Sequence, residues 1–181
     1  MNLVLAPLAG IFAAGNRTMI KPSELTPATS EITKKMFEAY FDKSEAAVFT
    51  GDAEVGAAFS ALPFDHLLFT GGTQIGKKVM KAASENLVPV TLELGGKSPV
   101  IVDEDANLSE VAKKVMRGKT MNAGQICLAP DYLMLPKGKS KEFANASSEV
   151  IGEMFEDLKY NEDYTSVINE RHYERINELV A

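Results

Sequence analysis

The chain has 181 residues, a formal net charge of −6, 45% hydrophobic and 24% charged residues, one cysteine and two histidines. The acidic balance, with no Lys/Arg stripe, excludes a binder of nucleic-acid backbone, and no apolar run reaches the roughly 20 residues that span a bilayer. A single cysteine makes no internal disulfide, which argues for a reducing, cytoplasmic setting, and one Cys with two distant His, His66 and His172, argues against a zinc site.

The opening "MNLVLAPLAGIFAAG" (1–15) is apolar but lacks a basic stretch ahead of its apolar part, so it reads as a core segment and not as a signal peptide. Residues 16–21 read as a short strand ending at Pro22. Thr26 is placed to cap the next helix, Pro27 suits its first position, and Ile32, Met36, Phe37 and Tyr40 fall on one face. "AAVFT" (46–50) is a compact strand, and Asp52 can cap the helix after it. "HLLFT" (66–70) is a third strand, followed by "GGTQIG" and a helix beginning near Thr73. Residues 88–94 and 98–102 complete a set of five strands. Beyond them, 107–124 reads as one helix, with Asn107 as cap and Glu110 where a capping-box acid belongs. Residues 131–136 read as a strand, 140–158 as a helix, and the remainder as a loop running into a last helix.

Strands alternating with helices at this spacing predict an α/β fold of β-α-β units on a parallel sheet. The strands are continuous apolar runs, the pattern expected where helices cover both sheet faces. The "ELGGK" turn (93–97) is the candidate seam between domains.

Three stretches carry chemistry. In "FTGGTQIG" (69–76) a strand ends in a Gly pair and a helix follows, so free N–H groups and the helix dipole suit a phosphate. The spacing Gly71, Gly72, Gly76 is not G-x-G-x-x-G, and a plain tight turn is the better reading of the stretch taken alone. In "IKPSE" (20–24), Glu24 can accept hydrogen bonds from ribose hydroxyls and Lys21 can donate them, although a solvated loop has the same composition. In "TLELGGKSP" (91–99), Glu93 stands between Leu92 and Leu94. Burial there raises a carboxyl pKa toward the range of a general base. Cys127, in "MNAGQICLAP" (121–130), lies among small and polar residues that leave access for a substrate. No histidine is close in sequence, so a Cys–His pair is unsupported, and the residue in isolation fits a packed core thiol.

Taken together and in this order, "KPSE", "FTGG-x-x-x-G", "LELGGKSP" and "GKTMNAGQICLAPDY" resemble the aldehyde dehydrogenase superfamily from residue 1 to 181. The "MNAGQ-x-C-x-APDY" form is most similar to its class 3 and coniferyl aldehyde branch. The resemblance implies a Rossmann-like nucleotide-binding part over 1–94 and the start of an α/β catalytic domain over 95–181. It implies Cys127 as the nucleophile on an aldehyde carbonyl, giving a thiohemiacetal and, after hydride transfer to a nicotinamide, a thioester. Glu93 is then the base that activates the hydrolytic water, and the Cys127 backbone N–H helps hold the oxyanion.

Lys21, Ser23 and Glu24 match the adenosine-ribose contacts. Gly71, Gly72, Thr73 and Gly76 match the pyrophosphate turn, and Leu94, Gly95 and Gly96 the turn near the nicotinamide. Gly72 departs from the serine that many members carry. A carboxylate at Glu24 favours NAD over NADP, although branches with the same motif accept both. Members of the family are far longer, roughly three domain lengths, and form homodimers or homotetramers. Their "PWN" motif, which supplies the second oxyanion donor, is absent from this sequence. The resemblance therefore predicts an internal fragment of an enzyme oxidising an aromatic aldehyde, such as coniferyl aldehyde, or a medium-chain aliphatic one. Its alternatives are a catalytically incompetent nucleotide-binding or interaction module, which is the outcome expected of these 181 residues in isolation, and a relative that passes the thioester to coenzyme A.

Overall fold

The structure, a computed structural model, describes residues 2–181. The chain folds as two compact units, Met1–Leu94 and Gly95–Ala181. The first runs α1 (Asn2–Ala13), β1 (Thr18–Ile20), α2 (Pro27–Tyr40), β2 (Ala46–Val48), α3 (Ala53–Ser60), β3 (Leu67–Thr70), α4 (Thr73–Ser84) and β4 (Val90–Glu93). The second runs β5 (Ser98–Ile101), α5 (Leu108–Thr120), a 3-10 turn (Met121–Gly124), β6 (Pro130–Met134), α6 (Ser140–Met154) and α7 (Glu170–Val180). No helix among the described residues is long and apolar enough to cross a membrane.

Each ladder is a parallel pair joined by a helical crossover: β1 with β2, β3 with β4, and β5 with β6. The predicted α/β architecture with parallel strands is therefore present. The strands are short because helix-starting signals follow them closely. Asp52 Oδ1 accepts from the N–H groups of Glu54 and Val55 at 3.0 and 3.2 Å, and Asn107 Oδ1 from those of Ser109 and Glu110 at 3.0 and 3.2 Å. Each cap satisfies two donors that a helix start leaves open.

In the first unit α1, β1, α2 and β2 enclose Leu8, Ile20, Phe37, Ala46 and Val48, with the Phe12 and Phe37 rings stacked on Phe41 at 5.2 and 5.1 Å. β3, α4 and β4 enclose Leu67, Val79, Ala83 and Val88. The core of the second unit is Val102, Leu108, Ala112, Val115, Phe143 and Val150.

Four local expectations need correction. Thr26 makes no side-chain cap; its hydroxyl turns to the Ser23 carbonyl at 3.4 Å. The buried face of α2 is Ser30, Thr33 and Phe37, while Ile32 and Tyr40 are exposed. Both buried hydroxyls are satisfied, Ser30 by the Ser23 carbonyl at 2.9 Å and Thr33 by the Thr29 carbonyl at 2.7 Å, so a polar stripe tolerates burial. The helix expected over 107–124 stops at Thr120, because Asn122, Ala123 and Gly124 take left-handed backbone angles. The strands other than β2 are covered on one face, not two: along β5, Val100 turns inward and Ile101 is 76% exposed.

Glu110 does not reach back to Asn107 but pairs with Lys113 at 3.0 Å. Replacing Asn107 with alanine should therefore cost about 1 kcal/mol of stability, the usual worth of an N-cap. Glu110→Gln should shift the midpoint far less, because the pair it breaks is exposed to solvent. The two midpoints of urea unfolding measure the difference.

Candidate active site

Lys21, Ser23 and Glu24 form the loop that leaves the carboxyl end of β1. Its shape is set by Ser23, whose Oγ accepts from Leu25 N–H at 3.2 Å and whose carbonyl accepts from Ser30 Oγ. The Lys21 side chain is almost covered, and its ammonium donates to Glu24 Oε2 at 3.0 Å. It lies against α3 at Gly56, where a Cβ would stand in ordinary contact, 3.7 Å from both Cε and Nζ of Lys21. Glu24 is about half exposed. A hydrogen bond from its own backbone N–H, and then one from Lys21, hold its carboxyl below the ordinary value of 4.5. The loop thus presents an anionic acceptor to solvent at neutral pH.

Gly71 and Gly72 follow the carboxyl end of β3, and Thr73 opens α4. Gly72 is the N-cap and has no side chain to offer, so the leading N–H groups of α4 lack a side-chain acceptor. With the positive end of the helix dipole, they fit an anion such as a pyrophosphate. Gly76 is buried one turn in, where a Cβ would come within 2.8 Å of Leu94 Cδ2, so glycine lets α4 lie directly on the chain leaving β4. Glu93 ends β4 beside this turn: it pairs in register with Thr70, and its carbonyl accepts from Gly71 N–H at 3.0 Å. Within the first unit the fold therefore brings the 71–76 turn together with Glu93 and Leu94.

Glu93 is exposed, which overturns the expectation of a buried carboxylate. Val90 and Leu92 take the covered side of β4, so Thr91 and Glu93 take the open one, where Thr91 Oγ1 meets His66 Nε2 at 2.9 Å. Gly95 is exposed and open at its Cβ position.

Cys127 is exposed, so it is not a core thiol. It follows the 3-10 turn in which Asn122, Ala123 and Gly124 have φ of 51°, 52° and 74°. Asn and Gly adopt these angles readily, whereas alanine is strained by roughly 1 kcal/mol or more. The segment is braced on several sides. A Cβ on Gly96 would stand 3.3 Å from the Cys127 carbonyl oxygen, Lys97 Nζ pairs with Asp131 Oδ2 at 2.8 Å, and the Gln125 side chain bonds to residues 122, 166 and 168. Sequence reading did not single out Gln125, Gly56 or the Lys97–Asp131 pair. Their partners lie 34 to 43 positions away, and no local pattern marks them.

These segments sit together in one family. The chain belongs to the aldehyde dehydrogenase family, matched over residues 1–181. Among its relatives is a probable coniferyl aldehyde dehydrogenase of Caulobacter vibrioides, 57% identical over 97% of this chain and 36% of the relative. Among solved structures, the substrate-bound state of Staphylococcus aureus AldH matches with a TM-score of 0.88 at 43% identity, covering 96% of this chain and 38% of that one. A betaine aldehyde dehydrogenase of Staphylococcus aureus in complex with NAD+ matches with a TM-score of 0.81 at 28% identity, over 96% and 36% of the two chains. The chain spans 36% to 40% of the length of the curated relatives it matches.

The order of causes at Glu24 can be checked by NMR titration. The wild-type midpoint should lie below 4.5, and Lys21→Met should raise it without restoring 4.5, because the larger cause is the carboxylate's own backbone hydrogen bond. A folded-state value below the unfolded one means that Glu24 stabilises the fold fully above the unfolded pKa. That contribution is lost as pH falls through the folded pKa. Glu24→Gln should remove this part of the acid-side loss of stability.

Proposed function

We propose that the chain carries the nucleotide-binding and nucleophile-bearing parts of an NAD(P)-dependent aldehyde dehydrogenase, with Met1–Leu94 serving the coenzyme and Gly95–Ala181 the thiol chemistry. The observation that carries the proposal is Cys127: the chain's one cysteine, exposed, at the end of a strained and braced turn. Free structural thiols are mostly buried, whereas a nucleophile needs access and a fixed position.

In this reading the Cys127 thiolate attacks the aldehyde carbon, and the Cys127 backbone N–H donates to the developing oxyanion. Loss of hydride from the thiohemiacetal leaves a thioester on Sγ. Glu93 takes a proton from water, which attacks the thioester carbonyl, releases the acid and returns the thiolate. A nicotinamide dinucleotide, when bound, supplies the hydride acceptor. The residues present fit it: the α4 N-terminus with Gly71, Gly72, Thr73 and Gly76 would hold the pyrophosphate, Glu24 with Lys21 and Ser23 the ribose, and Leu94 and Gly95 the nicotinamide side. An anionic Glu24 favours a free 2′-hydroxyl over a phosphate, hence NAD over NADP. The NAD+ complex of the betaine aldehyde relative supports this cofactor, and the coniferyl aldehyde relative supports an aromatic substrate.

An activated ester such as p-nitrophenyl acetate isolates the steps given to Cys127 and Glu93, because it forms the thioester without hydride transfer. Mass spectrometry should find the acyl group on Cys127, and Cys127→Ser should lose it. In Glu93→Gln the acyl-enzyme should still form while its hydrolysis slows about 10²- to 10⁴-fold, the usual worth of a general base. Acylation at any other residue, or hydrolysis unaffected by Glu93→Gln, would sink the assignment. The same mass measurement with NAD+ and coniferyl aldehyde, set against octanal, tests the substrate class.

A further inference from the structure

We infer that the Gln125 side chain is a positioning residue for Cys127, acting as a clamp between the strained turn and the segment 165–168. This rests on the reading of Cys127 as a nucleophile. Gln125 uses both ends of its amide on main-chain groups far away in sequence. Nε2 donates to the Ser166 carbonyl at 3.1 Å, and Oε1 accepts from Ile168 N–H at 3.2 Å. The same Nε2 donates back to the Asn122 carbonyl at 3.0 Å, while Asn122 Nδ2 donates to the Gln125 carbonyl at 3.1 Å. The amide therefore closes the turn on itself and fastens it to a second segment in one step.

The turn has reason to need such a clamp. Ala123 sits at φ 52°, a conformation that an alanine leaves when nothing holds it. Relaxation of Ala123 would redirect the chain four residues before Cys127. Of the other contacts that brace the segment, Gly96 against the Cys127 carbonyl and Lys97 with Asp131 lie at or after the cysteine. From the preceding side, Gln125 is the residue whose side chain ties the turn to a distant segment. Only an amide has the required shape and polarity: a carboxylate keeps the acceptor for Ile168 N–H but sets a second acceptor against the Ser166 and Asn122 carbonyls.

The test uses the chain itself. It contains one cysteine and two glutamines, Gln74 and Gln125, so labelling only Cys and Gln gives each group an NMR signal of its own. Both glutamines are exposed, so the difference lies in hydrogen bonding: in the wild type, the bonded side-chain amide protons of Gln125 should exchange with solvent more slowly than those of Gln74 on α4. In Gln125→Ala, exchange of the Ile168 amide should rise about fivefold, matching the loss of one ordinary hydrogen bond, and the Cys127 Cβ signal should shift and broaden. Gln125→Glu should displace the Cys127 signal as much, despite its similar size. Asn169→Ala removes the side-chain cap on His172 N–H at the start of α7 and should leave Cys127 unmoved. A Cys127 signal unchanged in both Gln125 variants would overturn the inference, as would one displaced equally by Asn169→Ala, or wild-type Gln125 protons exchanging as fast as those of Gln74. These readouts follow the thiol's surroundings whether or not it reacts, so a failed nucleophile assignment shows separately, in the acylation assay.

Discussion

Three successive left-handed residues, Asn122, Ala123 and Gly124, decide where Cys127 stands. Had α5 continued past Thr120, the cysteine two turns on would have been one more residue on a helix with an apolar face. The left-handed turn breaks that periodicity and turns the chain out. Asn122 and Gly124 adopt their angles at little cost, and the cost concentrates on Ala123. Strain of this kind persists only where surrounding contacts over-determine the backbone, and the Gln125 amide, Gly96 and the Lys97–Asp131 pair are such contacts. Presentation of the thiol is thus a property of the second unit's hydrogen bonding and not of its apolar core.

The first unit solves a different problem with the same economy of side chains. Its candidate anion site depends on what is missing: no side chain on Gly72 to occupy the α4 N–H groups, and none on Gly76 to hold α4 away from Leu94. Gly72 offers no hydroxyl, and the backbone donors of α4 remain in place. Glu24 adds a fixed negative charge after the carboxyl end of β1, stabilised by its own backbone N–H and by Lys21. Both devices follow the carboxyl end of a parallel strand, the place where α/β folds bind ligands.

What was legible in the sequence is what short-range physics determines. Asp52 and Asn107 cap helices through bonds to residues two and three positions on, so the signal and its partner share one window. The alternation of strands and helices was legible for the same reason. Position 93 shows where that window fails: flanking leucines suggested burial, but whether a strand residue faces in or out depends on which face a distant helix covers. The buried side of α2 was misread because Ser30 becomes an inward residue only when the Ser23 carbonyl accepts from it. Gln125 is the extreme case, since its partners lie 41 and 43 residues away.

The misreading of strand burial has a measurable counterpart. The described chain exposes 12960 Å², whereas surface scaling gives about 8,600 Å² for one globule of its mass and about 10,300 Å² for two of half that mass. The excess includes large apolar side chains on the open sides of strands, such as Met19, Leu68, Ile101, Tyr132 and Met134. On β5 and β6, Ile101 and Met134 are register partners, so these exposed residues form one apolar row and not isolated positions. Continuous apolar strands are the composition of a sheet covered on both faces. The inference from composition to environment was therefore sound for the strand sequences themselves. It failed for the strands other than β2, because each of them leaves one face open among the residues described.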